Sequence, residues 1–259
     1  MQTLFLAIAD LLHRRVNLEH AAAEPANLFQ AVMLLILLSL PIAGMAGPDI
    51  AYFGVSPVSI VMFLAYLWGV RLSAAVSESP MWRPVETRDT RRDEPDDEND
   101  PDAPVLRPAL VFAALVAVMG LAGWVISQVG GAFITRFGLT SSLVGALITA
   151  VITSLPELVT TLVAVRRGSL QLAVGGIIGG NTFDVLFLSL SDIAYRDGSL
   201  YHAVGPGDYF WLAVGLLMTG VLLLGLILRQ RHGPLKIGAE SLAMLVIYAG
   251  AVALQVAAG

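Results

Sequence analysis

Apolar residues run along this chain in blocks of about 20, and the polar residues gather between the blocks. As a helix, a block of that length spans a hydrocarbon core of about 30 Å. The runs near 27–45, 50–70, 109–129, 139–165, 170–191, 209–229 and 238–257 predict seven transmembrane helices, and 3–12 reads as the end of another. No run alternates apolar and polar residues for long, so lipid-facing strands are not expected. Internal Gly and Pro do not argue against helices here, because neighbouring helices re-satisfy the freed backbone groups. The expected fold class is an all-α integral membrane protein, a multi-pass helical bundle.

Composition strengthens that reading. Hydrophobic residues make up 56% and charged ones 14%, where a soluble domain has about a quarter charged. The net charge of −5 adds little, because the acids concentrate between Glu86 and Asp102 in a Pro-rich run that reads as a solvated linker. No Cys is present, which excludes disulfides and thiolate metal sites. Arg14 and Arg15 follow the first apolar run instead of preceding it, so no signal peptide is expected. No basic, aromatic surface suggests nucleic acid, and nothing suggests an enzyme.

The chain resembles itself. Residues 3–21 align without a gap on 185–203, and eight of the nineteen positions are identical, among them Asp10/Asp192, Arg14/Arg196 and His20/His202. Threading the spans puts thirteen of the fifteen Lys and Arg residues on one side, leaving Arg136 and Arg196 opposite. By the positive-inside rule that side is cytoplasmic and the C-terminus is outside the cell membrane. The two copies then cross in opposite directions, as in the inverted repeats of many secondary transporters. The expected organisation is a truncated first repeat over 1–75, an acidic cytoplasmic linker over 76–106, and a second repeat over 107–259. At the 182-residue offset Gln2 falls opposite Asp184, so the counterparts of 138–182 are absent and the chain reads as starting inside its first repeat.

Two spans carry the chemistry. Pro156 lacks an N–H and its ring clashes with the Ile152 carbonyl, so the helix should kink or open there. Thr153 and Glu157, four apart, are expected on one helical face, with the Ser154 hydroxyl beside the break. In the next span Gly175, Gly176, Gly179 and Gly180 permit close helix approach, and Asn181 and Asp184 project to a common side. Each span has one ionisable residue in its apolar interior, Glu157 and Asp184. An intramembrane carboxylate costs about 2.5–3.5 kcal/mol at least, so it marks an ion or substrate path. Two carboxylates with hydroxyl, amide and carbonyl oxygens make a hard shell suited to calcium and, by analogy, sodium. Asp10 and Asp192 sit at helix ends, where an interfacial or capping role is expected. Thr160 and Thr161 are expected to bond to their own helix.

Thr153–Ser154–Leu155–Pro156–Glu157 resembles the helix-breaking T-S-x-P-E signature of the sodium/calcium exchanger family of cation antiporters, and Gly180–Asn181–Thr182–Phe183–Asp184 resembles its G-S-N-x-F-N/D signature. The resemblance implies that Glu157 and Asp184 help bind the transported cations, with oxygens from Thr153 and Ser154 and with Asn181 shaping the opposing helix. Gly180 stands where that family commonly has Ser. The implied function is exchange of calcium against sodium or protons by alternating access, with no cofactor beyond the transported ions. The implied bundle is an incomplete inverted-repeat exchanger fold, which needs either a longer product or a separate chain to supply the missing repeat. The alternative is a non-transporting relic or accessory membrane subunit.

Overall fold

The computed structural model describes residues 2–13, 18–80, 82, 105–230 and 238–258, and the acidic run from Glu86 to Asp102 lies outside them. The described elements are α1 (Gln2–His13), α2 (Leu18–Ala21), α3 (Pro25–Ala46), α4 (Pro57–Glu78), α5 (Leu106–Phe137), α6 (Ser141–Leu143), a π-helical turn (Val144–Thr149), α7 (Ala150–Thr153), α8 (Leu155–Arg167), α9 (Leu170–Ala194), α10 (Leu200–Ala203), α11 (Pro206–Leu228) and α12 (Ala239–Ala258). Among the described residues six helices are long and apolar enough to cross a membrane, and the stretch from α6 to α8, bent by 45°, is a broken span or a re-entrant loop. The protein is thus an all-α, multi-pass membrane protein.

One span is displaced from its expected place. The second crossing was expected at 50–70, whereas the helix starts at Pro57 and runs to Glu78. Proline at the first helical position and a Ser56 side chain that accepts the Val58 N–H at 3.3 Å set that start. Just before it, Phe53 and Gly54 take left-handed backbone angles in a tight turn closed by the Tyr52–Val55 bridge, so the apolar residues there cannot continue a helix. The third full crossing is longer than expected. At 32 residues α5 measures about 48 Å, more than a bilayer core needs.

The core forms where α9 packs against α1, α3, α4 and α8, and α11 packs against α3 and α12. Leu6, Leu34, Leu37, Ile177, Ile178 and Leu222 are fully buried there. By contrast α4 and α5 present Leu64, Trp68, Phe112 and Trp124 outward, the arrangement expected of lipid-facing helices.

The structure carries the internal repeat well beyond the residues that first reveal it. The helices α2 and α10 begin 182 residues apart, as do α4 and α12, and Ser59/Ser241, Met62/Met244 and Tyr66/Tyr248 keep that register. The contacts between the halves are reciprocal. Asp10 accepts the N–H of Leu18 at 3.0 Å and of Gly238 at 2.9 Å, while Asp192 accepts that of Leu200 at 2.8 Å and of Ser56 at 2.8 Å. His20 bonds the Arg229 carbonyl at 2.7 Å, and His202 bonds the Gly47 carbonyl at 3.0 Å. Each pair becomes the other when 182 is added on one side and subtracted on the other, which requires a two-fold operation exchanging the halves.

Asp10 and Asp192 do cap, as expected from their positions, but they cap the helices that follow and lie across from them. At the second clamp Ser59 Oγ donates to Asp192 Oδ2 at 2.7 Å. With that hydrogen used, Tyr201 must donate to Ser59 Oγ at 2.8 Å. Tyr201 lies in the short interfacial α10, and burial pushes its phenol above the ordinary tyrosine range.

Candidate cation site

The helix break is where the sequence places it, and it is wider than a proline alone would make. The π-helical turn over Val144–Thr149 loosens the backbone first, as such insertions do near functional sites. At Ser154 the N–H lies against both the Ala150 and Ile152 carbonyls, and Pro156 has no N–H with which to bond the latter. A new helix, α8, then starts with Glu157 in its first turn. A carboxylate there faces the positive end of the helix dipole.

That break overturns one expectation. Thr153 and Glu157 do not share a helical face, because the bend at Ser154 separates them into α7 and α8. The Thr153 hydroxyl turns back to donate to the Thr149 carbonyl at 2.9 Å, and the residue is exposed. Ser154 by contrast is buried, at 6% exposure. Thr160 donates to the Glu157 carbonyl at 3.0 Å, a bond within its own helix as expected.

Asn181 and Asp184 both reach toward the start of α1. Asn181 Nδ2 donates to Thr3 Oγ1 at 3.1 Å, and Gln2 Nε2 donates to Asp184 Oδ2 at 2.7 Å. Glu157 on α8 and Asp184 on α9 belong to helices that pack against each other. Glu157 Oε2 on α8 and Gln2 Oε1 on α1 are each buried and without a hydrogen-bond partner among the described residues. Buried acceptors are normally satisfied, so each calls for a reason.

Only two of the four glycines serve close approach. A Cβ on Gly175 would meet Asn27 Oδ1 at 2.7 Å, and one on Gly180 would meet Gln2 Oε1 at 2.9 Å, whereas Gly176 and Gly179 have no such neighbour within 4 Å. Gln2 itself was not singled out from composition or spacing. Its one signal was the 182-residue register that sets it opposite Asp184.

Among the described residues no three His, Cys, Asp or Glu side chains cluster as a metal site would require. A cation held here would meet the Glu157 and Asp184 carboxylates and otherwise neutral oxygens. That donor set fits a hard ion that accepts carbonyl and hydroxyl ligands, and it does not fit a transition metal that favours imidazole or thiolate.

The family model described as "Sodium/calcium exchanger protein" matches residues 107–257, more than half of the chain. The Alkalimonas amylolytica protein named "Putative antiporter CaxA" is 44% identical over 52 residues, 20% of this chain and 16% of that protein. "Sodium/calcium exchanger MaX1" of Methanosarcina acetivorans is 41% identical over 64 residues, 24% of this chain and 18% of that protein. The matched stretches thus span less than a fifth of either relative. No solved structure matches.

Proposed function

The chain belongs to the sodium/calcium exchanger family, and from that premise we propose that it is the cation-binding part of an antiporter that exchanges calcium against sodium or protons by alternating access. Glu157 and Asp184 are the charged ligands, Ser154 and Asn181 line the same space, and the Thr153 contribution reduces to its backbone. One observation carries the reading. Glu157 Oε2 is buried, without a hydrogen-bond partner among the described residues, at an opened helix that packs against the helix carrying Asp184. In an apolar interior a bare charged oxygen is unfavourable by several kcal/mol, roughly, unless a cation completes it.

Asp184 lies near the middle of α9 and is exposed on the described chain, and a lipid-exposed carboxylate at that depth costs at least about 2.5–3.5 kcal/mol. The assembly sits in the cell membrane with the acidic linker on the cytoplasmic side and the C-terminus outside, as the charge bias of the loops directs. The domain division is 1–75, 76–106 and 107–259.

Calcium uptake into sealed vesicles, driven in turn by a sodium gradient and by a proton gradient, tests this. Transport by the protein as its native source makes it is expected to respond to one of the gradients and to vanish in Glu157→Gln. Unchanged flux in that variant would sink the assignment. Binding of calcium with no flux under either gradient would favour the accessory-subunit reading instead.

A further inference from the structure

We propose that the turn between α3 and α4, with Phe53 at its tip and Arg196 beside it, is a membrane-surface clasp that binds the phosphate of a phospholipid headgroup in the adjoining leaflet. The turn is held from two sides by the end of α9. Asp192 accepts the Ser56 N–H at 2.8 Å, and Arg196 Nη1 donates to the Phe53 carbonyl at 3.4 Å. Backbone bonds of 2.9 and 3.0 Å between Tyr52 and Val55 close it. Between these fixings Phe53 has a φ of 54° and is fully exposed. A left-handed backbone is strained for a residue with a bulky ring, and strain kept where the protein leaves that ring untouched points to something outside the protein.

Depth identifies what that is. From Pro57 to Glu78 α4 measures about 33 Å, enough to cover a hydrocarbon core of about 30 Å. The turn just ahead of Pro57 therefore lies among the headgroups, where aromatic side chains collect. Tyr52 is exposed beside Phe53, and Ile60, Val61 and Leu64 carry the exposed apolar surface on into α4. Arg196 follows the last helical residue of α9, Ala194, and reaches the same layer. It lies on the side to which the threading of the spans assigns only two of the fifteen Lys and Arg residues, outer on the orientation proposed above. The residue is exposed, and among the described residues it makes no ion pair. One N–H is used on the Phe53 carbonyl, and the rest of the guanidinium fork is open to a phosphate, which arginine recognises well. A tip of this size is too small for a protein partner, whose stable interface takes about 800 Å² on each side. Through Ser56 the bound headgroup is joined to the Asp192 clamp, and its binding does not depend on whether Glu157 and Asp184 hold a cation.

Tryptophan fluorescence of the full chain in lipid nanodiscs tests the clasp. Phe53→Trp, read as the difference from the starting protein, is expected to be quenched by phosphatidylglycerol brominated high on its acyl chains and shielded from aqueous iodide. Iodide quenching as fast as that of free tryptophan, with none from the brominated lipid, would overturn the proposal. In discs that mix phosphatidylglycerol with a phosphate-free glycosyl diacylglycerol, the brominated phosphatidylglycerol is expected to be enriched about threefold around this reporter, the scale of one exposed ion pair. Adding Arg196→Gln should abolish that enrichment, and Arg196→Lys should keep part of it. Equal quenching by the two lipids, or an enrichment unchanged in Arg196→Gln, would overturn the phosphate contact. Should Phe53→Trp fail to fold, judged by melting, Tyr52→Trp carries the same expectations. Should Arg196→Gln fail, salt at 1 M, which screens an exposed pair, is expected to remove the enrichment, and its persistence would count against Arg196.

Discussion

Two aspartates eight residues apart on α9 have opposite surroundings. Asp192 is fully buried and accepts three hydrogen bonds, from the N–H groups of Ser56 and Leu200 and from the Ser59 hydroxyl. Asp184 is exposed and accepts the amide of Gln2. The repeat treats them differently too. The clamp is duplicated as Asp10 with its own pair of N–H donors, while Gln2, an uncharged residue, stands opposite Asp184. A carboxylate whose lone pairs are taken up by the protein holds the halves together. One whose lone pairs are left open is placed to bind something that comes and goes.

The sharpest way to break this comparison is to remove both side chains and read stability. Asp192→Ala leaves two N–H groups and a hydroxyl without their acceptor, and at about 1–3 kcal/mol for each unsatisfied buried group the variant is expected to lose at least about 3 kcal/mol in denaturant titrations in detergent. Asp184→Asn is expected to leave that stability within about 1 kcal/mol while lowering calcium affinity about 100-fold. Equal effects of the two on stability would remove the distinction. A smaller effect is expected at the clamp's hydroxyl. Ser59→Ala removes one donor to Asp192 and one acceptor from Tyr201, and a loss of about 1–2 kcal/mol should appear in the same titration. Smallest of all is Thr153→Val. Its hydroxyl bonds its own helix, so calcium affinity should stay within about threefold of the starting protein, and a tenfold loss would return Thr153 to the site.

Much of the fold was legible because a bilayer imposes one strong rule, that a spanning segment satisfies its own backbone with about 20 apolar residues. The spans around α3, α9, α11 and α12 were placed within a few residues on that rule alone. It misled at residues 50–56, where an apolar run forms a tight turn, because hydropathy does not register the left-handed angles of Phe53 and Gly54. The site was legible in part for a related reason. Glu157 and Asp184 stand out as charges where charge is costly, and Pro156 announces a break by its chemistry. Thr153 was misplaced because four-residue spacing implies a shared face only if the helix continues, and here it does not.

The sequence by itself therefore determined the rough extent of most crossings, the internal repeat, the break at Pro156 and the two unusual carboxylates, all of which follow from local composition and register. Only the tertiary structure decided which carboxylates are saturated and which are bare, and that Gln2 is the hydrogen-bond partner of Asp184. Those are matters of which atoms meet across 182 residues of chain, and hydrogen-bond satisfaction in a packed interior depends on that meeting more than on the identity of either residue.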